Sequence, residues 1–190
     1  MRLKKKTDRR KRRTKSRLSK ALVELVKEKR FDDISVQNVI DRADVGRSTF
    51  YTHFRDKEDL FQKDWERFLD GFAQRIDWNN VGRGSFIPVA FLFRHLESFQ
   101  PFYKGLVRSG MIDSTFKSGI SYLSQRIEAA LTTRIKSKPS VPIPILANYL
   151  ASALFFLLTW WLDHGLPYSP EQMDQVYEEL ITPTLRSQLK

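Results

Sequence analysis

A short segment of the chain, residues 47–53, concentrates side chains that donate and accept hydrogen bonds. Guanidinium, hydroxyl and imidazole groups of this kind contact the base edges and the phosphates of duplex DNA. They fall within the first two turns of a predicted helix, which cannot bury so many polar groups at once. The members are Arg47, Ser48, Thr49, Tyr51, Thr52 and His53. The chemistry that this segment predicts is recognition of the DNA major groove.

Two short amphipathic helices are predicted to position this segment. The first has the i, i+3, i+4 spacing of one buried face, and the second repeats an apolar residue four positions apart. These apolar positions are Val36, Val39, Ile40, Phe50 and Phe54. Ser35 is a favourable N-cap for the first helix, and residues 44–46 break the pattern before the second. The pattern predicts a helix-turn-helix, with an ordinary solvated helical hairpin as the alternative.

The positive charge of the chain is concentrated at its N-terminus. The formal net charge is +11, yet residues 1–30 alone hold fifteen Lys and Arg against three acidic residues. We predict that residues 1–13 form a flexible basic arm whose affinity for phosphates falls as salt rises. Such a run also binds nucleic acids or anionic surfaces without specificity. A non-specific nucleic-acid or anionic-surface binding protein is therefore the alternative function.

Residue types argue against an enzyme and against a secreted protein. At 190 residues and 41% hydrophobic content, the chain is long enough for one or two domains with a sizeable core. Cysteine is absent, and no apolar signal segment follows the basic N-terminus. His53, His95 and His164 lack metal-binding spacing, and the sequence contains no phosphate-binding glycine loop or nucleophile elbow. We expect no catalytic residue, no metal, no cofactor and a cytoplasmic location.

Helical patterns cover the remaining chain and predict an all-α fold. Apolar residues recur at helical spacing in residues 18–30, 60–76, 86–99, 102–107, 112–135 and 171–181. Residues 78–85 are predicted to be a loop because of their glycines.

The charge-free segment 143–162 is long enough to span a membrane. Two prolines at its start and polar residues within it argue against a span, so we predict no membrane partner. A helix that is apolar on every side is also expected where a domain covers one face and a partner subunit covers the other. We therefore predict that this helix lies at a subunit interface.

The stretch ISVQNVIDRADVGRSTFYTHFRDKEDLF closely resembles the N-terminal domain of TetR-type transcriptional regulators. Thr49, Phe50, Tyr51, His53 and Phe54, followed by Lys57 and Leu60, match the end of the signature of this family. The resemblance is specific over about residues 14–65, and Gly46 stands where the family usually has Ser. It implies a DNA-binding domain at residues 14–60 and a helical ligand-binding and dimerisation domain at residues 61–190.

The resemblance also implies roles for individual residues in binding double-stranded DNA. Positions that face base edges are Arg47, Ser48 and Thr49, with Gln37 and Thr52 as weaker candidates. Arg47 is the residue best suited to read a guanine through two parallel hydrogen bonds. Positions that hold phosphates are Ser35, Tyr51, His53 and Lys57.

Regulators of this family are homodimers, more often repressors than activators, and many enclose a small-molecule pocket. The expected dimer interface comprises Ala147, Leu150, Ala151, Leu154, Leu158, Trp161, Val176 and Leu180. Candidate pocket residues for a lipophilic effector are Phe68, Phe72, Phe91, His95, Phe99, Phe102 and Tyr103. An aromatic stripe at helical spacing is also typical of an ordinary core, so a simple packing role is the alternative for these residues.

Overall fold

The computed structural model describes residues 2–78, 88–133, 135 and 139–188. Every regular element within these residues is helical, which confirms the all-α prediction. The helices are α1 (Arg2–Glu28), α2 (Val36–Ala43), α3 (Arg47–Tyr51), α4 (Lys57–Ala73), α5 (Ala90–Ser98), α6 (Gln100–Arg108), α7 (Ile112–Thr132), α8 (Ile143–Asp163) and α9 (Pro170–Gln188), and a 3₁₀ turn covers Phe31–Asp33.

The chain forms two compact units that do not follow its linear order. The first unit contains residues 1–67 and 101–112, and the second contains residues 68–100 and 113–190. α6 therefore belongs to the same unit as α1, α2 and α3. The family resemblance implied one domain from residue 61 onward, and the sequence contains no local signal that α6 groups with α1.

The apolar faces of α1, α2 and α3 meet in one small core of the first unit. Each residue of this core is at most 4% exposed, and most are fully buried. The core consists of Leu18, Leu22, Val26, Val39, Ile40, Phe50 and Phe54. Burial of each such side chain contributes roughly 1.5–3 kcal/mol. The predicted helix-turn-helix is therefore confirmed, and four of its five predicted apolar positions lie in this core, whereas Val36 is only half-buried.

The basic N-terminal segment differs from its prediction. Residues 2–13 continue α1 toward the N-terminus, whereas a flexible arm was expected there. The physical reason is that residues 2–28 contain no glycine or proline, and that Lys and Arg are good helix formers. The basic side chains that are described in this segment, residues 9–13, are exposed.

Helix ends in the second unit are fixed by side chains that are distant in sequence. Asp174 Oδ1 accepts hydrogen bonds from the backbone N–H groups of Val89 and Ala90, at 2.6 and 3.0 Å, and so caps α5 from α9. The hydropathy pattern predicted that α5 begins near residue 86, but it begins at Ala90. The pattern predicted that α7 extends to residue 135, but it ends at Thr132. Residues 79–87 lie outside the described residues, which leaves most of the predicted loop untested.

α8 is 21 residues long and, by length and composition alone, apolar enough to cross a membrane. Core helices of soluble proteins pass the same test. One face of α8 is packed inside its own unit, where the Tyr177 hydroxyl of α9 donates to the Leu150 carbonyl at 3.0 Å. α9 continues to Gln188 with Pro183 inside the helix.

The burial of α8 corrects the predicted dimer interface. Six predicted interface residues are 0% exposed within a single chain, so they present no surface to a second one: Ala147, Leu150, Ala151, Leu154, Leu158 and Trp161. They form the most regular apolar stripe of the helix, and that stripe fills the core of the second unit. Val176 of α9 is half-buried, and Leu180 is 57% exposed.

Candidate nucleic-acid interface

The N-terminus of α2 is closed by a reciprocal cap. Ser35 Oγ accepts from the Asn38 backbone N–H at 3.1 Å, and Asn38 Oδ1 accepts from the Ser35 backbone N–H at 3.0 Å. Lys29 Nζ donates to the same Asn38 oxygen at 2.7 Å. Ser35 is the cap that the sequence predicted, and its exposed hydroxyl still carries a proton to donate.

The turn between α2 and α3 is tied to α1. Asp44 adopts the left-handed conformation with φ of 49°, which short polar residues tolerate. Its carboxylate pairs with the Arg17 guanidinium of α1 at 2.8 Å. Gly46 then begins α3 without a side-chain cap. A Cβ at Gly46 would lie 3.9 Å from Thr49 Oγ1, so the serine that is usual here in the TetR family would fit.

α3 buries its aromatic residue and exposes its polar ones. Phe50 is fully buried, whereas the polar side chains before and after it are exposed. We call the following six exposed residues the α3 polar surface: Gln37, Arg47, Ser48, Thr49, Tyr51 and Thr52. The Thr52 hydroxyl donates to the Ser48 carbonyl at 2.9 Å, which leaves it an acceptor for other groups. The structure thus brings all five predicted base-reading residues to one surface.

Arg47 is held between two neighbours on this surface. Its guanidinium donates to Gln37 Oε1 at 3.1 Å and lies 5.7 Å from the centre of the Tyr51 ring. Gln37 Nε2 in turn donates to Asp41 Oδ1 at 2.7 Å. The sequence analysis did not single out Asp41, although its i, i+4 spacing from Gln37 on a helix could have indicated this contact.

His53 connects the α3 polar surface to the basic part of α1. The residue is half-buried, and its desolvation lowers the pKa of the imidazole, with further lowering by the positive charges of Lys15 and Lys11. A neutral imidazole binds a phosphate oxygen through its N–H group. Lys11 and Lys15 of α1 are therefore close enough to His53 for their positive charges to act on its imidazole.

Lys57 differs from the other predicted phosphate contacts. Its side chain is only 13% exposed, and its Nζ donates to the carbonyl oxygens of Phe31 and Asp32 at 2.7 and 3.2 Å. The ammonium also lies 4.7 Å from the centre of the Phe31 ring. Lys57 therefore lies inside the first unit and stabilises the 3₁₀ turn, because its ammonium adds a charged donor to the Phe31 carbonyl, which also accepts the Ile34 N–H, and to the Asp32 carbonyl.

The predicted pocket residues are divided between the two units. Phe102 and Tyr103 belong to the first unit, where Phe102 lies 6.3 Å from the Phe61 ring. In the second unit, His95 stacks on Phe68 with ring centres 4.0 Å apart, and the ring of Phe99, the residue that follows α5, is centred 4.6 Å from the His95 ring. Desolvation lowers the pKa of His95 to about 4, so its imidazole is neutral at pH 7.

The remaining two pocket candidates also lie in the second unit. The Phe72 and Phe91 rings are parallel, with centres 6.5 Å apart, and the Arg75 guanidinium lies 4.0 Å above Phe91. Phe72 is buried and Phe91 is half-buried. Five of the seven predicted residues therefore occur in one unit, around α4 and α5.

α8 exposes an apolar face that the sequence analysis missed. Ile145, Tyr149 and Phe156 are 61%, 49% and 66% exposed, and they recur at spacings of four and seven residues along one side of the helix. Leu180 of α9 is similarly exposed. We call these four residues the α8–α9 outer face. The sequence does contain this second apolar stripe, which is offset by about one residue from the more regular stripe that fills the interior.

Two family models match separate parts of the chain. The model of the tetR family of bacterial regulatory proteins matches residues 18–63, and a model of a transcriptional regulator C-terminal region matches residues 89–183, half of the chain. The HTH-type dhaKLM operon transcriptional activator DhaS of Lactococcus lactis is 26% identical over 104 residues, which are 53% of this chain. That match spans only half of the length of the relative, at 50%.

Solved structures match nearly the whole chain. A TetR transcriptional regulator from Streptococcus agalactiae is 25% identical, with a TM-score of 0.62, over 92% of this chain and 97% of the other. The dihydroxyacetone kinase operon activator DhaS shares the fold at 18% identity and a TM-score of 0.69, over 91% and 96% of the two chains. Together with the capped helix-turn-helix and its exposed polar surface, these matches show that the chain belongs to the TetR family of transcriptional regulators.

Proposed function

We propose that this regulator is a cytoplasmic homodimer that represses transcription by occupying a palindromic operator. The observation that carries the proposal is the α3 polar surface, in which unburied polar side chains surround Arg47 beside the basic end of α1. Arg47, Ser48 and Thr49 contact base edges in the major groove, while Gln37 and Thr52 lie at its margin. Ser35, Tyr51 and His53 bind phosphates and fix the register of α3.

Dimerisation is supported by the α8–α9 outer face. Large apolar side chains are exposed along one side of α8 and at Leu180 of α9, and such exposed apolar surface is typical of an interface that a second copy covers. Packing of α8 and α9 against their symmetry mates would form a four-helix bundle and set the spacing of two DNA half-sites.

The oligomeric state tests this interface directly. We expect Phe156→Glu to convert a dimer into a monomer in sedimentation experiments, because two buried carboxylates would face each other across the two-fold axis. Val107→Glu is the matched control, since Val107 is 50% exposed but lies on α6. A Phe156→Glu protein that remains a dimer would exclude this face as the interface.

A lipophilic effector is the third part of the proposal. The ring cluster of Phe68, His95 and Phe99, with Phe72 and Phe91 nearby, offers aromatic surface and a neutral imidazole to an uncharged ligand. Release from DNA requires that such a ligand bind the DNA-incompetent state more tightly. Planar aromatic compounds that release the intact protein from DNA should lose their effect on Phe68→Ala and keep it on Tyr168→Ala.

Selection of bound duplexes from a random DNA pool tests the central claim. The intact protein should recover a palindrome, and Arg47→Ala should weaken the preference for one base in each half-site. If both proteins instead recover unrelated duplexes and binding disappears as salt rises, the basic part of α1 accounts for binding. The non-specific alternative would then replace the repressor proposal.

An activator is the second candidate, and the DhaS relatives favour it because both are named as activators. A reporter gene placed downstream of the selected operator separates the two. Loss of this regulator should raise expression if it represses and lower expression if it activates.

A further inference from the structure

Three side chains form a continuous hydrogen-bonded chain across α2 and α3. Asp41 Oδ1 accepts from Gln37 Nε2 at 2.7 Å, and Gln37 Oε1 accepts from Arg47 Nη1 at 3.1 Å. The carboxylate is an acceptor only, so it determines which end of the Gln37 amide points toward it. The amide oxygen therefore points toward Arg47, which is a donor only.

The position of Asp41 is unfavourable for helix stability. It lies in the last turn of α2, where a negative charge opposes the helix dipole. The hydrogen bond to Gln37 at i, i+4 contributes only about 0.2–0.5 kcal/mol in an isolated helix. Asp41 is also exposed beside a surface that we assign to DNA, where a carboxylate is repelled by phosphates. Stability of α2 alone does not account for an acidic residue here.

We propose that Asp41 is a positioning residue for sequence recognition, which acts through Gln37 to hold Arg47 in the orientation that reads a base. This inference rests on the proposed DNA-binding function. Gln37 is then chiefly a link in the chain and not itself a base reader. The Tyr51 ring, 5.7 Å from the guanidinium, limits the movement of Arg47 on its other side.

The geometry leaves Arg47 free to bind DNA. A guanidinium has five N–H donors, and the bond to Gln37 uses one of them. The remaining donors include a parallel pair that matches two acceptors of a guanine. Ordering the side chain before binding reduces the conformational entropy that complex formation would otherwise remove.

Two substitutions of equal charge separate positioning from electrostatics. Asp41→Ala removes both the charge and the acceptor. Asp41→Asn removes the charge but keeps an acceptor oxygen, and the new amide presents that oxygen to Gln37 Nε2 because Gln37 Oε1 is already engaged by Arg47. Both should bind non-operator DNA more tightly than the intact protein because they remove the same repulsion. Only Asp41→Ala should lose preference for the base that Arg47 reads. We expect a loss of about two- to tenfold, which corresponds to the conformational entropy of ordering one side chain.

The decisive experiment measures base preference in four backgrounds by duplex selection and titration at fixed salt: intact protein, Asp41→Ala, Arg47→Ala and the double variant. If Asp41 acts through Arg47, Asp41→Ala changes the same base position as Arg47→Ala and has no further effect on preference in the double variant. Thermal unfolding of Asp41→Ala should be unchanged or slightly higher, which separates positioning from misfolding.

Three outcomes would overturn the inference. A change at a different base position would mean that Asp41 contacts DNA directly, for example a cytosine amino group. An equal loss of preference in Asp41→Ala and Asp41→Asn would assign the effect to charge. Unchanged preference in Asp41→Ala would show that Arg47 needs no support. Failure of the proposed function is distinguishable from all three, since the intact protein would then select no palindrome.

Discussion

α6 packs closely on α1 at Gly105, so a methyl group added at this glycine should lower the stability of the first unit. A Cβ built on Gly105 would lie 2.2 Å from the Val26 carbonyl oxygen and 2.7 Å from Val26 Cγ1. The oxygen belongs to the helix backbone and cannot rotate away as a side chain can. Gly105→Ala therefore requires α6 to move away from α1 by roughly 1 Å.

The expected cost follows from what that movement disturbs. Overpacking of this kind costs about 1–3 kcal/mol. The displacement also weakens two hydrogen bonds, from Arg108 Nη2 to the Lys27 carbonyl at 3.1 Å and from the Phe31 backbone N–H to Ser109 Oγ at 2.6 Å. Alanine regains up to about 1 kcal/mol of helix propensity. We expect a net loss of about 2–3 kcal/mol and a Tm lower by roughly 4–12 °C.

Gly71→Ala is the matched control for this prediction. Gly71 also lies inside a helix, α4, but nothing lies within 4 Å of a Cβ built there. The same substitution should therefore raise stability by up to about 1 kcal/mol. Thermal and urea unfolding of the two variants measure the difference. If Gly105→Ala unfolds at or above the midpoint of the unmodified protein, the close packing of α6 on α1 is wrong.

Substitutions at three further positions test the same structure. Lys57→Met should destabilise the fold by about 1.5–3 kcal/mol, because the carbonyl oxygens of Phe31 and Asp32 lose a charged donor. Urea unfolding without DNA measures this loss. If Lys57 were only a phosphate contact, the unfolding midpoint would not change. His95 has its pKa lowered to about 4, so the unfolded state binds more protons between pH 6.5 and 4, and stability should fall by up to about 3 kcal/mol as pH drops through this window. His95→Phe should remove that part of the pH dependence in parallel unfolding titrations, and an identical profile would refute the assignment. Asp174→Ala should lower the free energy of unfolding by about 1–2 kcal/mol, because α5 loses its cap. Asp174→Asn keeps an acceptor oxygen and should retain most of that stability. Equal stability of the intact protein and both variants would contradict the cap.

Most of the helix-turn-helix could be predicted from the sequence because its signals are local. The Ser35 cap, the break at Asp44 and the buried pair Phe50 and Phe54 each follow from residues within one or two helical turns. The start of α4 is equally local, since Asp56 Oδ1 accepts from the Asp59 backbone N–H at 2.6 Å. The exposed polar residues of α3 are those that remain once these local rules have assigned the core.

Features that depend on distant contacts could not be predicted in the same way. Lys57 matches a family position by its type, but its environment is set by the 3₁₀ turn 25 residues earlier. α8 is a similar case, because a helix without charges contains several apolar stripes and the most regular one fills the interior. Periodicity identifies a buried face reliably only when the opposite face is polar. The α8–α9 outer face could therefore be identified only from the packing of the whole unit.

α6 belongs to the first unit, but the chain enters it from the second unit and returns to the second unit after it. Residues 101–112 pack on the end of α1 without a side chain at Gly105, and Arg108 and Ser109 bind backbone groups at residues 26, 27 and 31. Both ends of this segment continue directly into residues of the second unit. We expect that any movement of either end of α6 would displace the end of α1 or break these contacts. The reason is that close-packed helices cannot shift without losing van der Waals contacts. Since α1 also carries Arg17, which holds Asp44 in the turn before α3, such a displacement acts on the helix that we assign to the major groove.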